Sequence, residues 1–258
     1  MTVAGPPNVE ALSRGLQVLR CFAGVRRPLG SSDLARMTGL PQPTVWRLCK
    51  TLERGGYLVP DGGEGRYRPG LALLGLGFAA LDAMVLPELL RPHLQALASQ
   101  FSVAASLAGP NEINMIFAQR CETNATLTAN LRVGSVIPMI TSGTGWAHLA
   151  SLGVDARQAL LERIAREQPE AWQRGAPGFR TAHDEFERTG VIINLGTFVP
   201  GLGTAAVPLI HPETGISYVL SCSGLVALVP PDRLRREIGP ALLRIAAEFG
   251  RPGREPAG

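Results

Sequence analysis

Long apolar runs are missing from this sequence. No stretch of its 258 residues approaches the ~20 apolar positions that a bilayer-spanning helix needs, so a membrane span is not expected. The first residues, Met1 to Asn8, carry no basic start, apolar stretch or small-residue cleavage site, which leaves export unsupported and makes the cytoplasm the expected location. Cysteine is scarce as well. Cys21, Cys49, Cys121 and Cys222 are scattered with no CxxC pair, so there is no zinc-site spacing, and the four read as small buried apolar side chains in a reducing compartment. Catalytic spacing is also wanting: Ser142, His148, His183, Asp184 and Cys222 show no recognised arrangement of nucleophile, base and orienting group. The expectation is a protein that is not an enzyme and holds no cofactor and no metal.

What is present is a chain 45% hydrophobic and 18% charged, the balance of a soluble globular protein. At roughly 150 residues per domain its length suits two unequal units. Charge separates them. Met1 to Gly70 carry ten Lys and Arg against five Asp and Glu, a balance of +5, whereas the remainder carries fifteen against sixteen, or −1. Clustered cations that neutralise phosphate dominate nonspecific DNA affinity, so this asymmetry points to a nucleic-acid module attached to a neutral one.

The N-terminal quarter reads as a winged helix-turn-helix. Val9 to Ala23 places Val9, Leu12, Leu16, Leu19, Cys21 and Phe22 largely on one helical face. Ser31-Ser32-Asp33 offers a cap to a helix running to Thr38, and Gly39 can end it at positive φ. Pro41 to Arg54 forms the next helix, with Val45, Leu48, Cys49 and Leu52 as its apolar stripe and Gln42, Thr44, Arg47, Lys50 and Thr51 pointing largely the other way. That polar face is what a major groove would meet: Gln42, Thr44 and Arg47 near base edges, Arg47 the best guanine reader, and Lys50 near phosphate. Two roles are open to Trp46, packing beneath the wing or touching a thymine methyl or sugar. Tyr57-Leu58-Val59, a glycine-rich turn over Asp61 to Gly65, and Arg66-Tyr67-Arg68 make a hairpin whose arginines straddle Tyr67 and reach a phosphate or the minor groove; an ordinary hairpin with solvated arginines is the competing reading.

Leu71 to Leu86 is apolar and ends at Pro87, as a buried or dimer-forming linker helix would. Beyond it, helical and strand patterns alternate in an α+β order with antiparallel strands: a helix around Pro92 to Gln100, strands around Ser102 to Ala108 and Asn114 to Arg120, and a helix from Gly143. Strands follow at Gly203 to Ile210 and Ile216 to Ser223 about a turn at His211 to Gly215, and a closing helix spans Pro231 to Phe249. No internal repeat is visible. Ile137 to His148 holds a glycine turn entering a helix, whose open backbone N–H groups favour carboxylate or phosphate, although such turns also arise from packing alone.

Three blocks, taken together, resemble the IclR family of bacterial transcriptional regulators over about Val9 to Phe249. They are Ser13 to Leu19 with Leu34-Ala35 and Thr44 to Leu52, Pro138 to Ala150, and Gly201 to Pro208. The resemblance implies a winged-helix DNA-binding domain (8–70), a linker helix that helps dimerise (71–86) and a GAF-like effector domain (87–250). Its ligand would alter operator binding or polymerase recruitment in a dimer or tetramer. Family pockets carry over to Ile137, Ser142, Gly143, Thr144, Leu202, Thr204, Ser221 and Ser223, with Ala129 on the apolar wall and Asn194 in the loop preceding Leu202. Three positions depart from the family pattern: Gly190 to Pro200 has no acidic residue, Trp146 replaces a usual lysine, and Pro43 stands where serine is common. Losing a carboxylate and gaining apolar bulk suits a less polar or aromatic acid, although Trp146 can equally fill core space. The competing function is a DNA-binding regulator whose pocket is vestigial.

Overall fold

The computed structural model describes residues 9–63, 65–123, 131–211 and 215–252 of the chain. Two compact units divide it, Met1–Met84 and Val85–Gly258. The class is α+β, and among the described residues no single helix is long and apolar enough to cross a membrane.

The first unit runs α1 (Glu10–Arg20), β1 (Leu29–Gly30), α2 (Ser31–Thr38), α3 (Gln42–Arg54), β2 (Leu58–Pro60), β3 (Arg66–Pro69) and α4 (Leu71–Asp82). Three short strands pair in the order β1-β3-β2, all antiparallel. Val18, Phe22, Leu29, Leu34, Val45, Cys49, Leu58 and Tyr67 make its core, and each large apolar side chain so buried contributes about 1.5–3 kcal/mol. The cap of α2 comes from Asp33, not from Ser31: its carboxylate accepts from Gly30 N at 3.3 Å and from Arg27 Nη1 at 2.9 Å, and these bonds hold it below the usual carboxylate range. Gly39 ends α2 at φ 70°, a left-handed turn that a side chain resists.

The apolar face expected of α1 splits. Gly15 and Val18 turn inward, while Val9, Leu12 and Leu16 are exposed. The helix expected from Leu71 to Leu86 is two helices: α4 ends at Asp82, and α5 begins at Val85. Nor does α4 bury a residue, although its sequence is almost wholly apolar. Pro87 failed to mark the boundary because a proline fits the first turn of a helix, where its missing N–H has no carbonyl to meet.

The second unit contains α5 (Val85–Phe101), β4 (Ala104–Asn111), β5 (Asn114–Cys121), β6 (Val136–Pro138), α6 (Gly143–Ser151), α7 (Val154–Glu167), α8 (Pro169–Thr189), β7 (Ile192–Leu195), β8 (Leu202–Ile210) and β9 (Ser217–Leu225). It closes with α9 (Pro231–Arg233), a π-helical turn at Leu234–Ile238, α10 (Gly239–Phe249) and β10 (Arg251–Pro252). The sheet is antiparallel in the order β10-β8-β9-β4-β5-β6, with β7 also on β8. One face packs on α5 and α10 through Leu90, Leu94, Leu220, Cys222 and Leu242. The other packs on α6, α7 and α8 through Met115, Met139, Ile140, Trp146, Ile164 and Phe179.

Helix α8 escapes the sequence patterns because Gly175, Pro177 and Gly178 lie inside it, where they read as breakers. They are small for a reason: a Cβ at Gly175 would meet Ile140 O at 2.0 Å. The segment expected as a loop before Gly201 contains β7, so Asn194 sits on a strand opposite Thr204. Residues 212–214 of the expected His211 to Gly215 turn, Glu64 of the wing and Ala129 lie outside the described residues.

His148 on α6 is buried, its Nδ1 3.3 Å from Ser217 Oγ, and burial pushes the imidazole down to about 4. The unfolded chain binds that proton near 6.5. Stability is therefore full above about pH 6.5 and falls as the pH drops toward 4, by up to about 1.4 kcal/mol per pH unit. Thermal melts from pH 7.5 to 5 should show this decline, and His148→Gln should flatten it.

Candidate functional site

Helix α3 follows Pro41 and carries Pro43 in its first turn, where a preset φ favours helix entry. Val45 and Cys49 bury its inner side. The 3.6-residue period then turns Arg47, Lys50 and Arg54 outward as one cationic stripe; Arg47 and Arg54 are exposed and Lys50 half-buried. Arg54 was absent from the sequence-based candidates, although its i+7 spacing from Arg47 carries it. Trp46 is 51% exposed, so it does not pack beneath the wing. Gln42 Nε2 donates to Ser31 Oγ at 3.3 Å, and Thr51 Oγ1 donates to Arg47 O at 3.0 Å. Lys50 Nζ donates to Glu53 Oε2 at 2.8 Å, which raises the ammonium pKa.

Two clefts flank the stripe. Lys50 shares one with Arg66 and Tyr67 of the wing. Thr44, Arg47 and Thr51 border the other, whose remaining lining is largely apolar and comes from α1, α4, Leu48 and Leu52 of α3, and Tyr57. Tyr67 is buried between exposed Arg66 and Arg68, as period-two alternation expects, and Arg68 Nε lies 3.5 Å from Asp61.

The second unit holds a cavity under the start of α6, lined by Ile137, Ser142, Gly143, Thr144, Asn194, Leu202, Thr204 and Ser223, all expected, with Phe117, Arg120, Leu131, Phe198 and Val199. The cavity is narrow: about 30 Å³ of it is wide enough for the centre of a water molecule. Strand alternation assembles the set. Asn194, Leu202, Thr204, Ser221 and Ser223 occupy even steps from one another on β7, β8 and β9, so all turn to the α6 face, while Cys222 turns to the opposite core.

Local bonds fix the turn. Ser142 caps α6 by accepting from Gly145 N at 3.1 Å and donates to Pro138 O at 2.8 Å; Asn194 Nδ2 donates to Thr141 O at 3.1 Å. A Cβ at Gly145 would meet Met139 O at 2.1 Å, and one at Gly143 would meet Thr204 Cγ2 at 2.9 Å, so both glycines let helix, turn and sheet approach. Thr144 Oγ1 donates to Ser221 Oγ at 3.3 Å, which places Ser221 just behind the cavity, and Thr204 and Ser223 share a hydroxyl bond of 2.9 Å. Trp146 points into the core, its Nε1 donating to Ile140 O and its ring packed near Phe179.

Sequence alternation missed Arg120. A bulge in β5 pairs Phe117 with Ala108 and Gln119 with Leu107, leaving Ala118 extra; Phe117 and Arg120 therefore share a face despite their odd spacing. The enzyme-like side chains are dispersed: Ser142 caps α6, His148 neighbours Ser217, and His183 lies on α8 beside Glu187. Among the described residues no group of three or more His, Cys, Asp and Glu is gathered as a metal site.

A winged helix-turn-helix with a basic outer face, joined in one chain to an α+β unit, is the architecture of a DNA-binding transcription regulator. Residues 11–62 match the IclR helix-turn-helix domain, and residues 78–249 match the bacterial transcriptional regulator IclR C-terminal domain. The chain belongs to the IclR family of transcriptional regulators. It is 29% identical over 251 residues, 95% of this chain and 89% of the relative, to the HTH-type transcriptional regulator TsaQ1/TsaQ2 of Comamonas testosteroni. A crystal structure of an IclR family transcriptional regulator from Brucella abortus superposes with TM-score 0.87 at 33% identity, covering 96% of this chain and 95% of that one. An IclR homologue from Microbacterium hydrocarbonoxydans, solved in complex with 4-hydroxybenzoate, shares the fold at TM-score 0.64 and 24% identity, over 93% and 96% of the two chains.

If Arg47 reads a base, Arg47→Ala should cost about 1–3 kcal/mol of discrimination between operator and random DNA, whereas Lys50→Ala should weaken both alike. Fluorescence anisotropy on the two duplexes checks this; equal, sequence-blind losses would remove Arg47 from base readout.

Proposed function

We propose that the protein binds a double-stranded operator through Gln42, Thr44, Trp46, Arg47, Lys50 and Thr51 of α3 and Arg66 and Arg68 of the wing. A small carboxylic or aromatic acid in the cavity under α6 controls operator affinity or RNA polymerase recruitment, without turnover. The observation that carries the reading is the cavity: the N-terminus of α6 and several hydroxyls at its polar side, apolar walls opposite, and no carboxylate among its described lining residues. A helix N-terminus presents open N–H groups and the positive end of the dipole, which suit an anion. The relative solved with 4-hydroxybenzoate supports an aromatic acid. Residues 8–70 are the DNA-binding domain, 71–86 the linker and 87–250 the effector-binding domain.

A second copy of the chain completes the DNA-binding unit. Leu71, Leu74, Leu76 and Phe78 of α4, with Val9, Leu12 and Leu16 at α1, are exposed, and clustered apolar exposure of this kind marks an association surface. A two-fold pairing over it gives two reading heads for a palindromic operator. Leu12→Glu with Leu74→Glu should convert the dimer to monomer in sedimentation and weaken operator binding more than tenfold.

The narrowness of the cavity favours a second reading, in which the protein regulates without a small effector. Thermal melts with a panel of carboxylic and aromatic acids separate the two. A genuine effector stabilises by about 2.7 kcal/mol at 100 times its Kd. Gly143→Asp, which drives a side chain toward Thr204 and Asn194, should abolish that gain while operator binding survives. Absence of stabilisation by every acid supports the second reading.

A further inference from the structure

Arg120 is the only charged residue among the described residues that line the cavity. Its side chain is 5% exposed. Nη1 donates to Ser106 Oγ, itself buried, at 3.0 Å, and Nη2 donates to Glu122 Oε2 at 3.3 Å; the guanidinium lies over the Phe117 ring, 5.4 Å from its centre. Glu122 is different: its side chain is 48% exposed and lies at the outer end of the pair. Burial lowers the Arg120 pKa, and Glu122 opposes this only in part. A guanidinium stays charged in a protein, and a buried charge demands close, well-placed compensation. Its planar fork fits a carboxylate with two parallel bonds.

We propose that Arg120 sets the charge selectivity of this sensor: it receives the carboxylate of a small organic acid inside the cavity, and Glu122 is the resident carboxylate that the ligand displaces. The proposal rests on the cavity being the effector site. Ser106 holds the guanidinium from the sheet side, the Phe117 face supports it, and the ligand carboxylate supplies inside the cavity the charge that Glu122 supplies at its edge. Displacement frees Glu122, four residues beyond the bulged Ala118 and the first residue after β5, so the ligand's charge is exchanged for a rearranged carboxylate at the cavity rim.

The test pairs each acid with its neutral amide on the full-length protein: 4-hydroxybenzoate with 4-hydroxybenzamide, and acetate with acetamide for the unexpanded cavity. Titration calorimetry and thermal melts at pH 7.5 read the binding. In the wild type, at least one acid should bind tenfold or more tightly than its amide. Arg120→Gln should erase that ratio while leaving the amide's weaker affinity in place, and Glu122→Gln should tighten the acid severalfold without moving the amide. Should Arg120→Gln fail to fold, the wild-type ratio and the Glu122→Gln shift decide the matter. Equal affinity for acid and amide overturns the role of Arg120 and leaves the cavity as a ligand site. Failure of all four compounds to bind overturns both.

Discussion

A Cβ at position 145 would lie 2.1 Å from Met139 O, a separation that no packing adjustment around a carbonyl can absorb, so the entry of α6 into the sheet depends on hydrogen at that position. Ser142 completes the constraint by joining Pro138 O on one side to Gly145 N on the other. The start of α6 is thereby pinned over β8 and β9. Thr144 reaches Ser221, and Asn194 closes onto Thr141 O. Without that close approach the helix would stand off from the sheet, the hydroxyl pairs would separate, and the cavity would become an open groove in which water screens any ligand charge.

Burying so many polar groups costs free energy unless they bond to one another. Here four of the hydroxyls pair among themselves, Thr204 with Ser223 and Thr144 with Ser221, whereas buried Thr141 Oγ1 has no hydrogen-bond partner. Such pairs lose little when an incoming acceptor takes over a hydroxyl donor, because each hydroxyl can rotate. Trp146 serves a separate purpose. By filling the space among α8, Ile140 and Phe179 it stiffens the core behind the turn and leaves the cavity walls to Phe117, Leu131 and Phe198.

Legibility in the sequence followed regularity of period. The outward stripe of α3 was readable because a 3.6-residue repeat separates Val45 and Cys49 from Arg47 and Lys50. Thr204, Ser221 and Ser223 were readable from family resemblance and agree with strict alternation on β8 and β9. Where period is broken, pattern misleads. Ala118 inserts one residue into β5 and carries Arg120 to the cavity face, an outcome that alternation alone assigns to Gln119. The breakers inside α8 are contact points with Ile140 and Trp146, and packing against those residues offsets the intrinsic penalty of glycine and proline in a helix. Apolar content leaves both readings of α4, buried or dimer-forming, open, because hydrophobicity marks a surface for burial without saying whether its own unit or another chain covers it.

That last ambiguity bears on how a regulator of this kind is built. In the first unit, one winged module spends Val18, Phe22, Leu34, Val45 and Leu58 on its own core and leaves Leu12, Leu16, Leu74 and Phe78 in solvent. Covering the second set by self-association would couple the assembly of two reading heads to the hydrophobic effect, while Arg47 and Lys50 remain on the face turned away from the core. Arg47 borders a cleft lined by Leu12 and Leu16 of α1 and by Leu73 and Leu76 of α4. If two copies do pair over α1 and α4, as proposed, a shift in their seating would be felt at the edge of the cationic stripe within a single side chain's reach.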